Sequence, residues 1–166
     1  MIIDQPVGFI GEVSAYVFDG DLEPEVLSDP ARLDALIADR VPDAYTRNMV
    51  TNLARQQMVK RIIGESANGV GYIGLSTSAT TPSLTALALT DEIFRKATSI
   101  NASYLTYYMR YGAYYATSDF GSTGIAGEGL FDTASTGGTM WAITSLSVSK
   151  TTTQSLLLIH LIQATS

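Results

Sequence analysis

The chain has 166 residues, 46% of them hydrophobic and only 16% charged, a length that suits one domain burying about two thirds of the surface its unfolded form exposes. A net charge of -6, with ten scattered Lys and Arg, argues against a nucleic-acid platform, because phosphate neutralisation needs clustered cations. With no cysteine there is neither a disulfide framework nor a thiolate metal site, so rigidity has to come from packing or oligomerisation.

The opening MIIDQPVGFIG lacks a basic region followed by an apolar stretch and a cleavage site, and no run reaches the roughly 18 apolar residues of a membrane span. The expectation is a protein neither secreted nor membrane-inserted. From Val7 to Phe18 apolar residues alternate through Phe9, Val13, Ala15 and Val17, interrupted by Gly8 and Gly11, which predicts one or two short strands in an N-terminal arm. Asp19-Gly20-Asp21 ends that arm, and Leu22 to Ser28, with Pro24, reads as a surface connection. Asp19, Asp21, Glu23 and Glu25 lack the glycine and closing bidentate Glu of a calcium loop, so a solvated loop is the expectation.

Asp29-Pro30 is a helix opening, a capping carboxylate before a proline at the first helical position, and Leu33, Leu36, Ile37 and Val41 follow at helical spacing. Pro42 should stop this helix. A second is predicted from near Asp43, with Tyr45, Met49 and Leu53 at four-residue steps, ending at Gly64. Its polar face carries Arg47, Arg55, Lys60 and Arg61 and is expected to be solvated.

After Gly64 charge falls away and β-branched, aromatic and small residues take over. Val70, Tyr72, Ile73 and Leu75 predict a strand, followed by the loop STSATTPS; Leu84 to Phe94 reads as a helical turn or a packed loop. Six of the nine tyrosines fall between positions 104 and 115. Strict alternation places Tyr104, Tyr108 and Arg110 on one face and Leu105, Tyr107, Met109 and Tyr111 on the other, so both faces are bulky. Core packing, a subunit interface and a carbohydrate platform all use tyrosine this way. Gly121 to Thr144 then reads strand, turn, strand, with Asp132 opening the turn and Gly137-Gly138 supplying positive φ before Met140 and Trp141. Two more strands follow, Ile143 to Ser149 and Leu156 to Gln163. The last is apolar on both faces and belongs at the centre of a sheet or beneath another chain.

The chemical inventory is thin. His160 stands among leucines and isoleucines and reads as a buried structural histidine; Glu128, between two glycines, reads as a turn or interface residue. There is no G-x-S-x-G elbow, the glycines at 124, 127 and 129 carry neither a Walker lysine nor the dinucleotide spacing, and no acid pair stands at metal-ligand spacing. No catalytic residue, cofactor or metal is expected, and the chain reads as a non-enzyme.

Four motifs occur in an order that resembles tail-collar and fibre-attachment proteins of tailed bacteriophages. They are TNLARQQMVKRIIG (Thr51 to Gly64), GYIGLSTSATTP (Gly71 to Pro82), TALALTDEIFRKAT (Thr85 to Thr98) and GEGLFDTASTGGTMWA (Gly127 to Ala142), spanning roughly the last two thirds of the chain. The resemblance implies a structural virion component at the tail, collar or baseplate that forms a homo-oligomer and contacts other phage structural proteins, with no nucleic acid or membrane partner. A capsid decoration protein is a rival within that class, and a carbohydrate-binding module one outside it. The fold expected is mainly β with N-terminal helices (α+β): an arm over residues 1–28, a helical pair over 29–64, and an antiparallel β-sandwich body over 65–166. Tyr104, Tyr107, Tyr108, Tyr111, Leu130, Phe131, Trp141, Leu156 and Leu158 are the candidate assembly-interface residues.

Overall fold

The computed structural model describes residues 8–105, 108–135 and 137–165. Its organising element is the strand pair β1 (Gly8–Asp19) and β9 (Gln154–Thr165), antiparallel along all twelve residues from Gly8 opposite Thr165 to Asp19 opposite Gln154. The alternation of Val13, Ala15 and Val17 is therefore a strand as predicted, but an inner one. The expectation of a peripheral N-terminal arm is corrected, because β1 is hydrogen-bonded on both sides, to β9 and to β2 (Ala44–Val50).

Seven further strands extend the sheet: β2, β3 (Tyr72–Ser76), β4 (Glu92–Ala97), β5 (Ile100–Leu105), β6 (Tyr108–Tyr115), β7 (Thr123–Phe131) and β8 (Met140–Lys150). The described strands form one nine-stranded antiparallel sheet in the order β4-β3-β7-β8-β2-β1-β9-β6-β5. It curls until it is nearly barrel-shaped. Across the narrowing seam the Tyr115 hydroxyl of β6 donates to the Ile73 carbonyl of β3 at 2.9 Å, and the Phe94 ring of β4 meets Tyr115 edge-on at 6.0 Å. One curled sheet thus stands where two facing sheets were expected, since β1 and β2 link its two halves through continuous pairing.

The region expected to hold a helical pair divides differently. Asp29 caps α2 (Pro30–Ala38) as predicted, its Oδ1 accepting from Ala31 N at 2.9 Å, and Pro24–Ser28, expected as loop, forms the short helix α1. Residues 44–50, however, are β2, and only Asn52–Ile62 is helical (α3). Four-residue spacing of Tyr45 and Met49 also satisfies a period of two. The sheet decides it, because Ala44, Thr46 and Val50 then turn inward while Tyr45 and Arg47 face solvent. No helix begins near Asp43, whose carboxylate accepts from Val17 N at 2.7 Å. Thr51 takes the cap instead, accepting from Ala54 N at 3.2 Å, and Gly64 at φ +82° ends α3 as expected.

Around β1, β9 and β6 both faces of the sheet are buried. The inner cluster joins Val13, Ala15, Tyr111, Leu130, Trp141, Leu156 and Leu158 with Ala54 of α3. On the outer face Leu157, Ile159, Tyr16, Phe18 and Tyr114 share a cluster with Leu33 of α2, packed against by Val26 and Leu27 of α1. Full burial of a side chain such as Leu33 stabilises by about 1.5–3 kcal/mol. A third cluster sets Leu89, from the loop before β4, on Phe131, Met140 and Ile143. The two-sided apolarity of the last strand is met by the first alternative, a central place in the sheet.

Candidate functional site

Six of the nine interface candidates lie inside the chain's own core. Leu130, Leu156 and Leu158 are fully buried, and Phe131, Trp141 and Tyr111 are buried to within a few per cent. These side chains have no surface to offer a neighbour, which corrects their assignment. Alternation correctly says that both faces need cover, but the cover is intramolecular. Tyr108 is 39% exposed and remains available. Tyr104 holds a backbone position in β5 opposite Met109, while Tyr107 lies outside the described residues.

The interior holds a constellation with acid-base character. Glu128 on β7 and His160 on β9 are both fully buried, with His160 Nδ1 3.1 Å from Glu128 Oε1. The buried place of His160 agrees with the sequence, whereas Glu128 is neither a turn nor an interface residue. Starting from Ile125, period two would aim Glu128 outward; a register shift between Ile125 and Gly127 reverses the phase and brings Glu128 inside with Leu130. That irregularity has no clear signal in sequence. Thr144, opposite Glu128, lies 3.3 Å from Thr46 oxygen to oxygen, and Tyr111 is opposite His160, so the polar pair sits within one transverse layer.

Around this layer Glu128 Oε2, His160 Nε2, both amide atoms of Asn48 and Trp141 Nε1 are buried and have no hydrogen-bond partner among the described residues. Burial, reinforced by the Glu128 charge, raises the Tyr115 phenol well above its usual range. A carboxylate-imidazole pair can move protons, but with both groups fully buried a substrate has no contact surface on either. Burying the two groups costs desolvation, which their mutual contact offsets.

The acidic loop also acquires a structural role. Asp21 accepts from Thr117 N at 2.7 Å and from the Tyr114 hydroxyl at 3.0 Å, and the Thr117 backbone bond holds its carboxyl below the usual range. Among the described residues no group of three or more His, Cys, Asp or Glu is placed to hold a metal, and no helix is long and apolar enough to cross a membrane.

What remains on the outside is an uneven surface. The end of α3 exposes Val59 at 56% and Ile62 at 82%, and its C-cap residue Ile63 is exposed at 64%. Beside them are Arg55, Lys60 and Arg61. Residues 19–43, which include α1 and α2, hold eight of the sixteen acids and two of the ten cations, so the whole net charge of -6 resides in that segment and the remainder is balanced. No protein-family model, curated protein or solved structure matches this chain.

Proposed function

We propose that the chain is a non-enzymatic structural subunit of a tailed-phage virion, assembling symmetrically at the tail, collar or baseplate and anchoring fibres or neighbouring subunits. The motif resemblance over the last two thirds of the sequence supports this reading. The observation that carries it is α3: the segment that opens the resemblance presents Val59, Ile62 and Ile63 to solvent at i, i+3 and i+4. Such a surface suits protein contacts, and the buried six of the earlier candidates leave α3 as the better interface. Its partners are further copies and other virion proteins, with no nucleic acid or membrane among them.

Two measurements test the proposal. Antibody labelling of intact particles should place the protein on the tail structure, and sedimentation at micromolar concentration should show association. A strictly monomeric protein absent from particles would overturn it; labelling on the head would favour the decoration-protein alternative. Specific glycan-array binding lost in Tyr108→Ala would favour the carbohydrate-binding module.

A further inference from the structure

We propose that Asn68 is a self-modifying site: in the folded protein its carboxamide condenses with the Gly69 amide nitrogen and is converted, without an enzyme, to aspartate and isoaspartate. The chain has four asparagines, at 48, 52, 68 and 101, and only Asn68 is followed by glycine. The others sit where the backbone is fixed. Asn48 lies in β2 before Met49 with its amide atoms buried, Asn52 opens α3 before Leu53, and Asn101 lies within β5 before Ala102.

Asn68 and Gly69 are both exposed, in the stretch between α3 and β3 that belongs to no helix or strand. Among the described residues the Gly69 N–H has no hydrogen-bond partner, so no bond holds its proton or keeps the nitrogen from turning onto Asn68 Cγ. Glycine favours this step because it has no Cβ to obstruct the approach and admits a wide range of backbone angles. The carboxamide donates through Nδ2 to Asp132 Oδ2 at 3.2 Å, an exposed bond of modest strength that engages the leaving nitrogen and not the carbon under attack.

The chemistry balances with water as the co-reactant. Gly69 N bonds to Asn68 Cγ, the Cγ–Nδ2 bond breaks, and ammonia leaves with the amide proton, closing a succinimide ring. Water then opens the ring at either carbonyl. One opening gives aspartate; the other gives isoaspartate, whose main chain runs through the former side-chain carbon.

Conversion cuts a tie between two parts of the fold. Asp132 closes the segment between β7 and β8, its Oδ1 accepting from Thr139 N at 2.7 Å, and Asn68 joins the α3–β3 segment to it. A carboxylate at 68 no longer donates and instead repels Asp132, adding one negative charge to a chain of net -6. The site thus acts as a clock that loosens the segment following α3 as the protein ages, whatever the chain assembles with.

Peptide mapping by mass spectrometry tests it. Wild-type protein held folded at mildly alkaline pH should gain the mass of an amide-to-acid exchange at Asn68, within a few-fold of the rate in urea, and should become a substrate for isoaspartyl methyltransferase. Asn68→Gln should lose the conversion, and Gly69→Ala should slow it by about tenfold or more. Both should melt as the wild type does, since a Cβ at 69 would lie 3.4 Å from Arg61 Nη2, an ordinary contact. Folded protein that keeps Asn68 intact while the denatured chain converts, or that converts Asn48, Asn52 or Asn101 as fast, would overturn the inference. Hydrogen exchange reads the tie. Asn68→Asp should speed exchange over residues 65–71, and adding Asp132→Asn, which swaps donor and acceptor, should restore it; unchanged exchange in Asn68→Asp would overturn the clock.

Discussion

His160 on β9 and Glu128 on β7 meet at 3.1 Å in the interior, each fully buried, joining strands that are not neighbours in the sheet. Removing one partner leaves the other polar group buried without its mate. His160→Leu or Glu128→Leu should each destabilise by about 3–5 kcal/mol, while the double variant should recover much of that loss. Urea denaturation of the three variants checks it. Single and double variants falling on one additive line would mean that the pair carries no coupling.

Tyr115 is the second polar group of the seam, its hydroxyl donating to Ile73 O at 2.9 Å. Tyr115→Phe should cost about 1–2 kcal/mol at neutral pH, because the Ile73 carbonyl is left without that donor. There is also a pH signature. Burial first, and the Glu128 charge next, raise this phenol in the folded state, so the protein is favoured below the unfolded tyrosine value of about 10 and loses that advantage as pH rises beyond it. Stability of the wild type should therefore fall more steeply above pH about 10 than that of Tyr115→Phe; equal slopes in parallel denaturation series would contradict this.

Local chemistry was readable from the residues, and long-range pairing was not. The Asp29-Pro30 helix start, the stop at Gly64 and the positive φ of Gly137 and Gly138 each follow from a few neighbouring residues. The apolar last strand likewise revealed that it needed cover on two sides. Its place inside the sheet depends on β1, about 140 residues away in sequence, and no periodicity encodes that partner. Tyr45 and Met49 fit a helix and a strand alike until the sheet supplies the inner face. Glu128 reads in sequence as a turn or interface residue because one extra residue in the β7–β8 ladder reverses a face, and the pair it forms exists only after β7 and β9 are brought opposite one another.

The central place of β1 makes the N-terminus indispensable. Val13 and Ala15 are fully buried inside, Tyr16 and Phe18 are buried outside, and the strand bridges β2 to β9. At about 1.5–3 kcal/mol for each fully buried large side chain, its removal exceeds much of the 5–15 kcal/mol margin of an ordinary domain. Deleting residues 1–28 should give a chain without a cooperative melt or dispersed amide resonances. A truncated chain that still melts cooperatively would show that β2 can close directly onto β9.

In the inner face β1 and β2 approach closely at Gly11. Asn48 stands opposite Gly11, and its amide fills the space a side chain at 11 would take: an added Cβ would lie 1.6 Å from Asn48 Oδ1. Gly11→Ala therefore has to displace Asn48 and should cost about 1–3 kcal/mol through overpacking. Asn48→Ala alone should be mild, because both amide atoms are buried with no partner among the described residues and the substitution removes them. Combined, the two alanines no longer collide. The double variant should be more stable than the sum of the single effects by about 0.5–3 kcal/mol, the range for side chains in direct contact. A thermal or urea double-mutant cycle measures that coupling, and strict additivity would show that Asn48 does not rest over Gly11 in solution.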